Sequence, residues 1–295
     1  MIERLILGDN QFFGVNHMSE ERARVQAARF QRTEAIIQVL ETAYSEGVRT
    51  FMCTTHERIA EVCDFFRANK ARYPDFQLYP CMPYAHKYAN AATDLGVLGA
   101  LRSFLPDESP LAAALKGGLS IARKDIGSLA GMLIDAEMKM FRDLPTPAIF
   151  LQNVMTDFLL GMGFDEALRV FADHVRKRYN AEPGYITMNL PMLLPRLEKL
   201  GVRNPLICAN VNKLEFRMCG GRRTYEELIA QGRCRTIAMS VFASGALPAE
   251  EALEYVCEQS GIDSIVFGAS SRAHIAQTRD LVTRLTRPRA AALTS

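Results

Sequence analysis

The sequence predicts an α/β protein, a (β/α)8 TIM barrel with a long helical insertion after the third strand. Short apolar runs that suit buried strands recur eight times along the chain. Longer stretches with helical periodicity lie between them, the pattern of parallel strands joined by crossover helices. The chain has 295 residues, and a closed barrel of this kind takes about 250 as one domain. One domain over 1–295 is therefore expected, and eight repeats favour the closed barrel over a doubly wound open sheet.

The strand candidates are RLILG (4–8), VRTFMC (48–53), FQLYPC (76–81), AIFLQ (148–152), GYITM (184–188), PLICAN (205–210), RTIAMSV (235–241) and DSIVFGA (263–269). Each is short, apolar and rich in β-branched or aromatic residues. RTEAIIQVLETAYSEG (32–47) repeats apolar residues at i, i+3, i+4 and i+7 and closes on Gly47, a residue suited to the left-handed turn that ends a helix. RIAEVCDFFRANK (58–70), FDEALRVFADHVRKRYN (164–180), LLPRLEKLG (193–201), TYEELIAQG (224–232) and PAEEALEYVCEQSG (248–261) follow the same logic. Residues 86–145 break the rhythm, being far longer than one crossover needs. They read as two or more helices broken at Gly117–Gly118. The insertion leaves the catalytic face of the barrel, so a lid is one expectation and extra packing on the outside is the other.

An apolar fraction of 48% and a charged fraction of 23% allow a sizeable core. A formal net charge of +2 gives no electrostatic footprint for nucleic acid or an anionic membrane. No apolar run is long enough to span a bilayer, and MIERLILGDNQ lacks the features of a signal peptide. A cytoplasmic protein acting on a small molecule is expected. The 7 cysteines are odd in number and form no C-x-x-C pair, which argues against a disulfide framework.

Barrel chemistry sits on the loops after each strand. Those loops carry amides and histidines. Asn10, Gln11 and His17 follow the first strand; Cys53, His56, Glu57 and Arg58 follow the second; Tyr84, His86 and Lys87 follow the third. Gln152, Asn153, Asn189, Asn210, Asn212 and Lys213 follow strands four to six. The amides, His17 and Lys213 are candidates for binding the hydroxyls and carbonyls of a substrate. Cys53, His56, Glu57, Tyr84, His86 and Lys87 are the candidates for catalysis, with His56 foremost as an acid or base because its pKa needs little tuning. Lys87 and Lys213 are also possible Schiff-base amines. Three imidazoles with an open position make a catalytic divalent-metal site, so His17, His56 and His86 are candidate ligands, with Glu57 or Asp157 able to complete the set. The opposing reading is three unrelated surface histidines. His174 and His274 read as structural.

The last two strands run into SVFASG (240–245) and GASSRAHI (268–275). Each puts small residues and hydroxyls where a helix begins, and the N–H groups there attract an anion. Ser240, Ser244, Gly245, Gly268, Ser270, Ser271 and Arg272 are the candidate phosphate-binding residues. Plain N-capping by Ser244 or Ser271 is the simpler alternative.

With these residues in view, the chain resembles the aldo/keto reductase superfamily. LILGDNQFFG is similar to that family's L-G-L-G-T-x-x-F-G, and the helix ending in Gly before VRTFMCTT is similar to its second unit. ICANVNKLEF, TIAMSVFASGAL and DSIVFGASSRAHIAQ resemble later family segments, the last being the one that binds the adenosine phosphate of NADP. The resemblance implies the same barrel and NADP(H) as cofactor. It does not carry over the family's Asp-Tyr-Lys-His tetrad: these positions fall on Cys53, near Arg58, near Met82 beside Cys81, and on Gln152 or Asn153. The aromatic that stacks on nicotinamide falls on Met239, and the residues that hold its carboxamide fall on Met188, Asn189 and Asn210. Tyr84 with Lys87 is the one pair able to rebuild a donor. Three functions follow. The first is non-redox acid–base chemistry, of lyase, isomerase or epimerase type, on a phosphate- or carboxylate-bearing carbonyl compound, without cofactor. The second is an NADP(H)-dependent oxidoreductase with an altered proton donor. The third is a catalytically silent binding protein.

Overall fold

The computed structural model describes residues 3–15, 19–83 and 123–286. Eight strands form a closed parallel barrel: β1 (Leu5–Leu7), β2 (Thr50–Thr54), β3 (Gln77–Met82), β4 (Ala148–Leu151), β5 (Glu182–Thr187), β6 (Leu206–Asn210), β7 (Arg235–Met239) and β8 (Ile262–Phe267). Each pairs with the next, and β8 pairs with β1 through Ile6 opposite Val266. All eight expected strands are present, with ends within two residues of the expected ones.

The described helices are α1 (Glu20–Arg29), α2 (Thr33–Ser45), α3 (Glu57–Ala68), α4 (Arg123–Met138), α5 (Asn153–Gly161), α6 (Asp165–Tyr179), α7 (Leu190–Lys199), α8 (Arg222–Ala230), α9 (Ala249–Glu258) and α10 (Arg272–Leu285). Two of them have no sequence counterpart above. α1 has only alanines and the exposed Val25 as apolar residues, so it shows no strong apolar stripe to read. α5 leaves Val154 and Phe158 exposed, which blurs its amphipathic pattern.

Strand side chains alternate between two cores, as a two-residue period requires. One core fills the barrel lumen and includes Ile6, Met52, Cys81, Phe150, Cys208 and Ile237. The other lies between barrel and helices and includes Leu7, Phe51, Cys53 and Ile59. Gly184 of β5 serves the lumen: a Cβ there would meet the Phe150 ring at 2.2 Å. Small opposite large lets the lumen close as a packed core, not a pore.

The described part of the insertion is α4, and it packs outside the barrel. His174 Nε2 of α6 lies 2.8 Å from Asp135 Oδ1 of α4, and the Tyr179 hydroxyl donates to the same oxygen. Burial alone would raise the Asp135 pKa, but these hydrogen bonds outweigh it and hold the carboxyl low. His174 is structural, as expected. The lid expectation concerns residues 84–122, which lie outside the described residues.

Candidate active site

A buried polar cluster spans the ends of β8, β1 and β2. Asp9 follows β1 and is 7% exposed. Its Oδ2 accepts two hydrogen bonds from Thr54, from the amide N at 2.7 Å and the hydroxyl at 2.8 Å. Burial raises the Asp9 pKa, and the Thr54 hydrogen bonds oppose that rise. Two residues on, Gln11 is 6% exposed. Its amide N donates to the Gly8 carbonyl at 2.7 Å and the Ala269 carbonyl at 3.4 Å, so the two carbonyls fix which end of the amide is nitrogen. Gln11 Oε1 is buried with no hydrogen-bond partner among the described residues. It fills space that a side chain at exposed Gly268 would need, since a Cβ there would stand 2.8 Å away.

Asp9 and Thr54 follow strands one and two and so line the mouth by sequence, but no role was assigned to them; Cys53 was a catalytic candidate, and the structure buries it. Cys53 faces the helices, fully buried among Phe51 and Ile59 in the outer core, because strand alternation turns Thr54 toward the mouth in its place. Burial, then the neighbouring Cys63, Asp9 and Cys81, push its pKa well above the ordinary range. It is a packing thiol, and thiolate chemistry has no support there. Cys81 does face the lumen but is likewise buried and pushed up.

His56 caps α3: its Nδ1 accepts from the Arg58 amide at 3.1 Å. The ring stacks on Phe13 at 4.3 Å between centroids. Burial, then the Arg58 charge, lowers its pKa. The ring is therefore neutral near pH 7 with the proton on Nε2, a hydrogen-bond donor more than a base. Glu57 is exposed in the first turn of α3, away from the buried cluster. Arg58 is anchored by the Phe30 and Phe12 carbonyls. Tyr84, His86 and Lys87 lie outside the described residues, as does His17. No group of three His, Cys, Asp or Glu side chains able to hold a metal occurs among the described residues.

Several expected substrate-binding amides have structural work instead. Asn189 caps α7, accepting from the Met192 amide at 3.3 Å. Asn210 donates to the Arg217 carbonyl at 2.9 Å. Asn212 both donates to and accepts from the Phe216 backbone. The last two brace the turn after β6. Asp157 accepts from the Thr187 hydroxyl and the Met188 amide and so fixes the end of β5. Lys213 is exposed and pairs with Glu251 at 2.7 Å, so it is not a desolvated amine. Asn10 is exposed, and Gln152 and Asn153 are half-buried at the start of α5.

The loops after β7 and β8 carry the residues expected to bind phosphate. Ser240 (φ 55°), Ala243 (φ 45°), Ser244 (φ 60°) and Gly245 (φ 88°) are left-handed. Three of the four are non-glycine residues, for which this conformation is uncommon and strained. The turn is self-braced: the Ala243 amide donates to the Ser240 carbonyl and the Gly245 amide to the Phe242 carbonyl, both at 2.8 Å. After β8, Ser271 caps α10, accepting from the His274 amide. Beside it lies a cleft of about 260 Å³ walled by Arg29, Ser270, Ser271 and Arg272. Arg29 donates to the Ser270 hydroxyl (3.1 Å) and carbonyl (2.7 Å). Arg272 and Arg279 share the carboxylate of Glu46. Arg279 also pairs with Asp280, so three guanidiniums stand against two carboxylates and leave a net positive charge here. Arg29 had no sequence signal assigned; the acidic first turn and basic end of EERARVQAAR (20–29) were the available ones.

No family model matches this chain, and no curated protein matches it. Solved structures do. A protein from Pseudomonas aeruginosa assigned to the aldo-keto reductases is 11% identical, covering 97% of this chain and 91% of its own, with a TM-score of 0.63. An aldo/keto reductase from Brucella melitensis is 12% identical, with 97% and 94% covered and a TM-score of 0.55. The chain has the aldo-keto reductase fold. A mutant of Gox0644 solved in complex with NADPH is 11% identical, with 94% and 83% covered and a TM-score of 0.50. Within this fold, side-chain direction sharpens the comparison at β2, where Thr54 and not Cys53 presents its side chain at the mouth.

Proposed function

We propose that this protein is an NADP(H)-dependent oxidoreductase of a small carbonyl or hydroxyl compound, with a proton donor other than a tyrosine–lysine pair. The observation that carries the reading is the arginine-walled cleft at the start of α10, next in the barrel to the left-handed turn after β7. The donor set suits a cofactor with a central pyrophosphate and a separate phosphate on its adenosine ribose. Arg29, Arg272, Ser270 and Ser271 suit a terminal phosphate through charge and hydrogen bonds. The Ser240–Gly245 turn, rigid before any ligand arrives, suits a pyrophosphate by its backbone and hydroxyls. NADPH, when bound, supplies the hydride. Met239, half-buried at the lumen end, offers an apolar face beside the turn that helps keep water out.

Titration of the full chain with NADPH, followed by fluorescence and thermal shift, tests this. Saturable binding that weakens with salt and exceeds that of NADH is expected, since the extra phosphate is what the arginines recognise. Absence of binding would sink the reading. Proton-transfer chemistry without redox is the second reading, favoured by the missing tyrosine and lysine at Arg58 and Met82. Solvent deuterium entering a hydroxy ketone with no cofactor present would select it.

A further inference from the structure

Two observations at the mouth are unused so far: a carboxyl group enclosed at the end of β1, and an orphan acceptor two residues later. We propose that Asp9 is the catalytic acid–base of this barrel and that Gln11 Oε1 receives a substrate hydroxyl, which makes the substrate a carbonyl compound bearing a neighbouring hydroxyl group.

Asp9 has the geometry for the part. Thr54 holds Oδ2 by two donors, which orients the carboxyl at the mouth end of β1. Burial raises its pKa against the pull of the Thr54 hydrogen bonds, and the protonated form is the one that can donate. Among the described residues, the buried thiols of Cys53 and Cys81 are the titratable groups that feel its charge. Gln11 supplies a buried acceptor whose nitrogen end is already committed to two carbonyls. Only a donor can satisfy it, and a hydroxyl is the donor that a small carbonyl substrate carries.

The step balances as follows for reduction. The carbonyl carbon takes up a hydride, the electron pair of the C=O π bond moves to oxygen, and that oxygen takes the proton from Asp9 Oδ1. The O–H bond of the carboxyl breaks as the alcohol O–H forms. The carboxylate left behind is stabilised by the two Thr54 donors and regains a proton from water. This inference rests on the oxidoreductase reading for the hydride alone.

The test uses the full chain with dihydroxyacetone as the probe. Carbon-13 NMR of labelled aspartate, with the Asp9 signal assigned by its loss in Asp9→Asn, should show a carboxyl titrating above the ordinary aspartate range. Dihydroxyacetone should shift that signal and the Gln11 side-chain amide. With NADPH, Asp9→Asn should lower kcat by about 100-fold or more and leave NADPH affinity unchanged. Thr54→Val removes one stabilising donor, so the alkaline limb of the rate profile should move to higher pH. An Asp9→Asn enzyme that turns over like the wild type, or loses thermal stability with no change in kcat, overturns the proposal. If NADPH does not bind, the oxidoreductase reading falls, and NMR signals unmoved by saturating dihydroxyacetone then overturn the role of Asp9 separately.

Discussion

Asp9 and Thr54 join the ends of β1 and β2 through a single oxygen, Oδ2, which accepts from both the amide and the hydroxyl of Thr54 at 2.7 and 2.8 Å. The pair therefore links stability to the protonation of a buried carboxyl. The folded pKa of Asp9 lies above its ordinary 3.8. A group of this kind contributes stability that is complete below the unfolded value and is lost as pH rises through the raised folded value. Urea denaturation of the wild type should show that loss above about pH 4, and Asp9→Asn should flatten it.

His56 works in the opposite sense. Its pKa is lowered from 6.5 by burial and by Arg58, so its contribution is present above pH 6.5 and is lost as pH falls through the depressed value. His56→Ala should cost about 0.5–2 kcal/mol through loss of the α3 cap, and His56→Asn should restore most of it. Denaturation curves at neutral pH compare the two.

The lumen leaves no room at Gly184. Gly184→Ala drives a methyl group into the Phe150 ring and should cost about 1–3 kcal/mol. Combining it with Phe150→Leu should recover part of the loss, measured by thermal unfolding.

Thiol reactivity should follow exposure. Cys219 is exposed, whereas Cys53, Cys63, Cys81, Cys208 and Cys234 are buried. Under native conditions iodoacetamide should label Cys219 first and leave Cys53 unmodified by mass spectrometry. Early labelling of Cys53 would contradict its place in the outer core.

Arg29 hydrogen-bonds Ser270 at the edge of the cleft. Arg29→Ala should weaken NADPH binding about 10-fold, the worth of one charge-assisted contact, and should change NADH binding far less. Fluorescence titration with both nucleotides reads the difference.

The eight strands were legible because a strand buried on both faces is a short apolar run whatever surrounds it. The cores of most helices were legible from their apolar stripes. α1 was not, because its apolar residues are three alanines and one exposed valine, and with it went Arg29. Among the site residues, the serines of the last two loops were legible as small residues at helix starts. The roles of Asn189, Asn210 and Asn212 were not, since an amide that caps a helix and one that binds a substrate look alike in a sequence.

By itself the sequence determined the barrel, its order of strands and the insertion after the third, because hydrophobic periodicity is a local property of the chain. Tertiary structure alone decided which side chains meet at the mouth. A one-residue step along β2 exchanges the helix layer for the lumen side, so Cys53 is buried away and Thr54 takes hold of Asp9, a partner 45 positions away in the chain.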